Sequence, residues 1–216
     1  MSLLFMGLFH PISRLLIKTR RKLDVSRFVR TTQAGGPTSI SRLLLYTWFP
    51  PARPVLPVEI AISAFGRTAR FRPQSYFDLE VWRDVFEDHD YAIDLPEDPE
   101  VILDLGAHVG LSAIYFALKY PRAVVHCFEA EPRNYAALAE NVAKLERVFP
   151  HHYAVCGNSR KVRLNVHPQS VSHSIVDRSE GGYTVEVQGH DLDTLAEIAG
   201  VNRIDLLKFN IEGMEF

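Results

Sequence analysis

The sequence predicts an α/β fold in which a doubly wound parallel sheet carries helices on both faces. Three observations favour this fold class. Short apolar runs recur as buried strands, segments with helical spacing of apolar residues lie between them, and acidic residues close the first two buried strands of the sheet. Strands that alternate with helices pair in parallel, because each helix crosses over the sheet and returns the chain in the same direction.

The domain alternates predicted strands and helices along the chain. Helical spacing of apolar residues predicts helices over 78–88, 109–120, 132–146 and 191–200. Continuous apolar runs predict buried strands over 100–105, 123–130, 149–157 and 203–210. Alternating patterns predict two hairpin pairs, over 58–63 with 68–72 and over 161–167 with 183–189.

Local signals predict where several of these helices begin and end. Asp78 is the expected N-cap of the first helix, because its carboxylate can accept a hydrogen bond from a free backbone N–H. Pro121 is expected to stop the second helix, and Pro132 to occupy the first turn of the third. Gly200 follows the last helix, where a left-handed residue often ends a helix.

Residues 1–57 are predicted to be a leader and a linker, and residues 58–216 the folded domain. The leader begins with the apolar and then basic segment MSLLFMGLFHPISRLLIKTRRK, and the linker contains PPARPVLP, whose four prolines do not fit a helix interior. Residues 1–30 carry a net charge of +6, which indicates peripheral contact with a membrane surface. The alternative is a leader that frays or that a partner covers.

Composition and charge argue against several classes of protein. A net charge of −2 disfavours strong nucleic-acid binding, and 47% hydrophobic with 23% charged residues is typical of a globular protein. The first apolar run ends at His10, short of the roughly 20 residues that cross a bilayer, and its basic residues follow it, unlike those of a signal peptide. Cys127 and Cys156 lie in apolar runs, as reduced core thiols of a cytoplasmic protein do.

The segment DLGAHVG, which ends the first buried strand, carries the most chemical information. In a doubly wound sheet the ligand lies at the carboxyl ends of the strands. Gly106 allows a sharp turn close to a ligand, and Gly110 allows the next helix to start close to the strand. A dinucleotide-binding fold would have G-x-G-x-x-G here, but His108 stands at the middle glycine. A nicotinamide-dependent oxidoreductase is therefore disfavoured.

Two carboxylates indicate what the turn holds. Asp104, together with backbone amides of the turn, can bind an ammonium and carboxylate pair. Glu129 closes the second strand 25 residues later, where its carboxylate can accept hydrogen bonds from both hydroxyls of a ribose. S-adenosylmethionine presents all of these groups. The alternative is a βα unit with incidental acids, because α/β domains of many functions share such turns.

Several segments in this order resemble the FkbM family of S-adenosylmethionine-dependent methyltransferases. They are VILDLGAHVGLSAIYFA, CFEAEPRNYAALAENV, AVCG, SHSIV and IDLLKFNIEGMEF, preceded by YFDLEVWRDVFEDHDY. The resemblance covers about residues 58–216 and implies a Rossmann-like doubly wound sheet with S-adenosylmethionine as cofactor. It implies that Glu129 binds the ribose and that the cofactor loop is lined by Asp104, Gly106 and Gly110. His108 stands where the family often has Asn, and it can still form a hydrogen bond.

The loop after the fourth buried strand contains the candidate catalytic residues. A methyl sulfonium is already activated, so the protein must align the acceptor and, for a hydroxyl, accept its proton. We expect Glu212 to be the base or to orient the acceptor, and Asn210 to be a polar contact near the methyl group. The family often has Asp at position 210, so a charged base or metal ligand there is disfavoured. The alternative for Glu212 is that it only caps a following helix.

The acceptor is expected to be a small molecule: a hydroxyl of a sugar, a lipid or a secondary metabolite. His173 and Ser174, in the loop PQSVSHSIVDRSEGG, can touch it, although a solvated loop is the equal alternative. No metal is expected, because His151 and His152 are adjacent on a strand and point to opposite faces. The oligomeric state is not indicated.

The position of the last residue adds an expectation about the sheet. Phe216 closely follows the fourth buried strand, whereas a sheet of the resembling family has seven strands. The sequence therefore predicts a domain that lacks its last strands, with the fourth strand as an unpaired edge. A non-catalytic S-adenosylmethionine-binding fragment or pseudoenzyme is the alternative function on this basis.

Overall fold

The computed structural model describes residues 5–7, 59–166 and 183–211. The chain divides into two compact units, one of residues 8–92 and one that joins residues 1–7 to residues 93–216. The predicted boundary between residues 57 and 58 lies outside the described ranges and stays a prediction. The membrane contact expected of residues 1–30 also falls outside them, except at residues 5–7.

The first unit contains a hairpin and a helix. Strands β2 (Ile60–Ala64) and β3 (Arg67–Phe71) pair in antiparallel register, so the predicted hairpin is confirmed. Its two turn residues, Phe65 and Gly66, both have positive φ angles of 52° and 72°, as a tight hairpin turn requires.

Helix α1 (Tyr76–Phe86) follows the hairpin. It buries Leu79, Trp82 and Val85, which confirms the predicted apolar face. Its predicted N-cap was wrong: the cap is Ser75, and Asp78 lies three residues inside the helix. The Asp78 carboxylate instead accepts a hydrogen bond from the backbone N–H of Ser75 at 2.8 Å. An N-cap side chain accepts from the N–H of the third helical residue, whereas an acid at that third position accepts from the N–H of the N-cap residue. An acid is common at both positions, so the sequence pattern alone did not distinguish them.

The second unit is built on a five-stranded sheet with the order β1-β10-β4-β5-β6, in which every pair is parallel. Its strands are β1 (Phe5–Gly7), β4 (Val101–Leu105), β5 (Val124–Phe128), β6 (Val148–His151) and β10 (Leu206–Phe209). Helices α2 (Leu111–Lys119), α3 (Pro132–Val142) and α4 (Leu192–Ala199) connect or flank them. The predicted parallel α/β sheet is confirmed. Strand order reverses at β4, so ligand-binding residues are expected at its carboxyl end.

Successive side chains of a strand point to opposite faces of the sheet, so the core residues lie on two faces. Leu103, Leu105, Phe128 and Leu207 share one face and pack with Leu195 of α4. The other face carries Asp104 and its neighbours in the register, Lys208 and Cys127. Helix α2 covers this second face, as a hydrogen bond from Ser112 to Asp104 shows.

A second, three-stranded sheet has the order β7-β9-β8. It consists of β7 (Ala154–Val155), β8 (Arg160–Val166) and β9 (Tyr183–His190), with β8 and β9 antiparallel as predicted. The single strand predicted over 149–157 was wrong, because the chain leaves the main sheet after His151 and joins the second sheet at Ala154. Pro150, His151 and His152 interrupt the apolar residues at this point, but the prediction extended one strand across them.

The predicted unpaired edge at the fourth buried strand was also wrong. That strand, β10, pairs with β4 on one side and with β1 on the other, in the register Phe5 to Leu207 and Gly7 to Phe209. The short strand β1, far away in the sequence, thus supplies backbone donors and acceptors to the edge of β10 that faces away from β4. Cys127 and Cys156 are free and buried, as expected. Within the described ranges, no helix combines the length and apolar character needed to cross a bilayer.

Candidate functional site

The turn after β4 lies against the end of β5. The N–H groups of Gly106 and Ala107 both donate to the Phe128 carbonyl, at 2.9 and 3.0 Å. Gly106, His108 and Gly110 have positive φ angles of 75°, 52° and 97°. Because the left-handed region is unfavourable for residues with a Cβ, the turn depends on its glycines. It is held at the carboxyl end of the sheet, where doubly wound folds bind ligands.

Each glycine of the turn is in close contact with another element. A Cβ on Gly106 would lie 2.1 Å from the backbone oxygen of Asn210, whose own N–H donates to Leu105 at 3.0 Å. A Cβ on Gly110 would lie 2.9 Å from a methyl group of Leu138 in α3. Gly110 is the N-cap of α2, as predicted, but its close neighbour is α3 rather than the strand. The turn is therefore enclosed by the end of β10 and by α3.

Asp104 supports this turn from inside the protein. Its side chain has no exposed surface. One oxygen accepts a hydrogen bond from Ser112 Oγ at 2.5 Å, and the other lies 2.8 Å from Lys208 Nζ. The expected contact between Asp104 and an ammonium group of a ligand stays a prediction. The roles of Ser112 and Lys208 were not predicted.

Glu129 follows the last residue of β5 and meets the turn directly. One carboxylate oxygen accepts the N–H of His108 at 2.8 Å, and the other accepts the N–H of Glu131 at 2.9 Å. The residue is 8% exposed, and this burial raises the pKa of Glu129 above its usual value while the two N–H groups oppose the shift. Each carboxylate oxygen can accept a second hydrogen bond, so the group retains acceptor capacity for a ligand.

A second buried glutamate, Glu131, was missed by sequence reasoning. It caps α3 by accepting the N–H of Asn134 at 2.6 Å, and Pro132 occupies the first turn as predicted. Its other oxygen accepts a hydrogen bond from the Tyr183 hydroxyl at 2.8 Å, and the Arg133 guanidinium lies 5.2 Å from the centre of that ring. Pro132 signalled the start of the helix, but glutamate is not among the preferred N-cap residues, so the sequence did not indicate this cap.

The structure brings together only some of the predicted site residues. It joins the turn residues to Glu129, and it places Asn210 at the exposed end of β10, beside Gly106. The predicted roles of Glu212, His173 and Ser174 concern residues outside the described ranges and stay predictions. In the ranges that the structure describes, no three His, Cys, Asp or Glu side chains are grouped so as to hold a metal ion.

A buried histidine on β5, His126, and a half-buried one on β6, His151, lie next to each other. His126 Nδ1 and His151 Nε2 are 3.0 Å apart, and the two rings stack between Phe149 and Phe128. Burial, helped by the neighbouring His151, lowers the pKa of His126 to about 4, and burial also lowers the pKa of His151. The His151 carbonyl accepts the N–H of Glu129 at 3.1 Å, so this pair borders the carboxyl end of β5.

We expect the free energy of unfolding to fall as the pH drops from about 6.5 towards 4. The unfolded chain binds protons on these histidines in that range, whereas the folded chain keeps His126 neutral, so acid favours unfolding. The expected loss attributable to His126 is about 1–2 kcal/mol, reduced from the full shift because the ring is only partly shielded. Urea unfolding at a series of pH values measures it. His126→Phe should flatten the dependence, and His89→Asn, a change of an exposed histidine, should not. Equal slopes for wild type and His126→Phe would contradict the assignment.

Comparisons with known proteins indicate the family to which the chain is similar. A family model described as Methyltransferase FkbM domain matches residues 104–216. Methyltransferase sdnD of Sordaria araneosa is 30% identical over 169 residues, which cover 62% of this chain and 65% of that protein. The 2-O-methyltransferase NoeI of Sinorhizobium fredii is 30% identical over 148 residues, which cover 59% of each chain. The matched segments thus span less than two thirds of the length of these relatives.

Among solved structures, methyltransferase FkbM from Methylobacillus flagellatus KT aligns with a TM-score of 0.42 and 14% identity, over 88% of this chain and 41% of that one. The family model covers more than half of the chain and begins at Asp104, the residue that anchors the turn after β4. The chain therefore belongs to the FkbM methyltransferase family.

Proposed function

We propose that this protein is an S-adenosylmethionine-dependent methyltransferase that acts on a hydroxyl group of a sugar, a lipid or a secondary metabolite. One observation carries the proposal: the Glu129 carboxylate and the glycine turn meet at the carboxyl end of β4 and β5, joined by the 2.8 Å hydrogen bond from His108. A ligand with a ribose and a polar chain fits this arrangement, because the carboxylate and the turn backbone present acceptors and donors side by side.

The residues at the carboxyl ends of β4 and β5 have different roles in this proposal. Glu129 accepts hydrogen bonds from the ribose hydroxyls, using the lone pairs that the N–H groups of His108 and Glu131 leave free. Gly106 and His108 shape the backbone that approaches the amino-acid end of the cofactor. Asp104 stays a candidate residue of the cofactor loop, and its buried carboxylate lies 2.8 Å from Lys208 Nζ and accepts a hydrogen bond from Ser112.

In this proposal the methyl acceptor binds at the end of β10. S-adenosylmethionine supplies a methyl group activated by its sulfonium, so the protein has to align the acceptor oxygen and accept its proton. Asn210 is exposed at the end of β10 and suits a polar contact there. We keep Glu212 as the base or orienting group, with helix capping as the alternative. One relative is named a 2-O-methyltransferase, which supports an oxygen acceptor.

A non-catalytic S-adenosylmethionine-binding module is the second candidate function. The observation that favours it is Asn210, a neutral residue where the resembling family often has an aspartate. Cofactor binding needs the turn and Glu129, whereas transfer also needs groups that activate the acceptor. The two candidates therefore predict the same binding and different turnover.

Calorimetric titration with S-adenosylmethionine and S-adenosylhomocysteine tests the proposal, with NAD as the control ligand. We expect both sulfur nucleosides to bind and NAD not to bind, because the turn has His108 in place of the second glycine of the dinucleotide motif. Release of S-adenosylhomocysteine in the presence of hydroxyl-bearing acceptors then reports turnover. Glu212→Gln should lower that turnover and leave binding unchanged. A folded chain that binds neither nucleoside would overturn the proposal, and binding without turnover would favour the second candidate.

A further inference from the structure

A buried lysine with two partners lies beneath the glycine turn. Lys208 is on β10, and its side chain is 3% exposed. Its Nζ lies 2.8 Å from an Asp104 oxygen and donates a hydrogen bond to the Gly106 carbonyl at 2.7 Å. An ammonium group is costly to remove from water, so such a group is retained only where several partners compensate it.

The lysine and the aspartate are direct neighbours in the sheet. Lys208 is opposite Asp104 in the parallel register between β10 and β4, so both side chains project from the same face. Ser112 in the first turn of α2 completes the group by donating to the second Asp104 oxygen at 2.5 Å. Three elements therefore converge on one carboxylate, directly under the turn that carries Gly106.

Lys208 also determines how the Gly106 peptide is oriented. The N–H of Gly106 is held by the Phe128 carbonyl at 2.9 Å, and its own carbonyl is held by Lys208. Glycine has more backbone freedom than any other residue, and Gly106 sits at a φ of 75°. With both ends of the residue held, the turn has one conformation before any ligand arrives, which lowers the entropic cost of binding.

We propose that Lys208 is a positioning residue for the cofactor: it fixes the Gly106 carbonyl and neutralises Asp104, and so sets the affinity of the turn for its nucleoside ligand. The inference rests on the proposed function for the identity of that ligand. A contribution to stability alone does not explain why a lysine is buried at position 208, because a buried ion pair is often no more stabilising than apolar residues of similar volume.

The experiment separates positioning from stability with paired variants. Lys208→Met leaves Asp104 charged and buried, so it should lower both thermal stability and affinity for S-adenosylhomocysteine. In Asp104→Asn/Lys208→Met no charge is left unpaired, so stability should largely return. Affinity should stay about ten-fold lower than in wild type, because the Gly106 carbonyl has lost its donor. Lys208→Gln, which keeps a donor, is the second neutral replacement if the methionine variants do not fold, and it should show a smaller loss.

Two matched controls complete the design. Ser112→Ala removes a hydrogen bond from the same carboxylate without touching the Gly106 carbonyl, so it should lower stability and leave affinity nearly unchanged. Lys161→Met changes an exposed lysine of β8 and should alter neither property. The inference is overturned if folded Asp104→Asn/Lys208→Met binds S-adenosylhomocysteine as tightly as wild type, if Lys208→Gln loses more affinity than that double variant, or if Ser112→Ala weakens binding as much as the double variant does. Absence of binding by wild type would instead overturn the proposed function, so the two failures are distinguishable.

Discussion

Gly106→Ala is expected to destabilise the fold by about 2–4 kcal/mol and to abolish detectable binding of S-adenosylhomocysteine. The new Cβ would lie 2.1 Å from the Asn210 carbonyl oxygen, and this neighbour is backbone, which cannot rotate away. The alanine would also have to keep a φ of 75°, in the region that residues with a Cβ avoid. Relief of either strain moves the turn away from β10, so the ligand loses its pre-formed contact surface. Urea unfolding and calorimetry measure the two effects.

Two other glycines serve as matched controls for Gly106. Gly200 has a positive φ of 69° with open space around its missing Cβ, so Gly200→Ala isolates the backbone strain, at about 1 kcal/mol. Gly157 has open space and an ordinary φ, so Gly157→Ala should be nearly neutral. Neither change should affect binding. If Gly106→Ala lost only as much stability as Gly200→Ala and kept its affinity, the close approach of β10 to the turn would not be what requires a glycine at position 106.

Glu129→Gln is expected to lower affinity for S-adenosylhomocysteine by about one hundred-fold while the chain stays folded. The amide has the shape of the carboxylate, but it offers one acceptor oxygen where the carboxylate has two. Its NH2 group would face the N–H of either His108 or Glu131, so one of the two hydrogen bonds that orient the group is lost. The ribose hydroxyls lose an acceptor for the same reason. Calorimetric titration measures the affinity, and circular dichroism measures the melting temperature.

Glu146→Gln is the control for this substitution, because Glu146 is an exposed glutamate after α3 and its replacement should change neither affinity nor melting temperature. Glu129→Asp is informative as well, since it keeps the charge but shortens the side chain by one carbon. If the negative charge matters, Glu129→Asp should bind more tightly than Glu129→Gln. If the length of the side chain matters more, the two variants should bind equally weakly. Wild-type affinity in Glu129→Gln would refute the assignment of this carboxylate to the ribose.

Sequence reasoning was most successful where a signal is local. The helical spacing in 191–200 predicted α4 and its end at Gly200, which is the C-cap in the structure. The turn DLGAHVG and the acid after β5 were recognised from residue types within a few positions of each other. Such signals depend on the backbone preferences of single residues and on side chains one turn apart, which the printed sequence contains directly.

Sequence reasoning failed where the answer depended on a partner far along the chain. The pairing of β1 with β10 joins residues about 200 positions apart, and nothing in either segment specifies the other. The segment 149–157 divides between two sheets: Phe149 to His151 pair with β5, whereas Ala154 and Val155 pair with β9. An apolar pattern is the same in both sheets, so only the packed structure distinguishes them.

The sequence by itself determined the α/β class, the turn after β4, and the two acids that bracket the candidate cofactor site. The tertiary structure alone decided that the two acids differ in their surroundings. Asp104 is enclosed by Lys208 and Ser112, whereas Glu129 keeps acceptor capacity beside the turn. The physical reason is that a carboxylate is equally polar wherever it stands in a sequence, and its chemistry depends on the donors and the solvent that folding places around it.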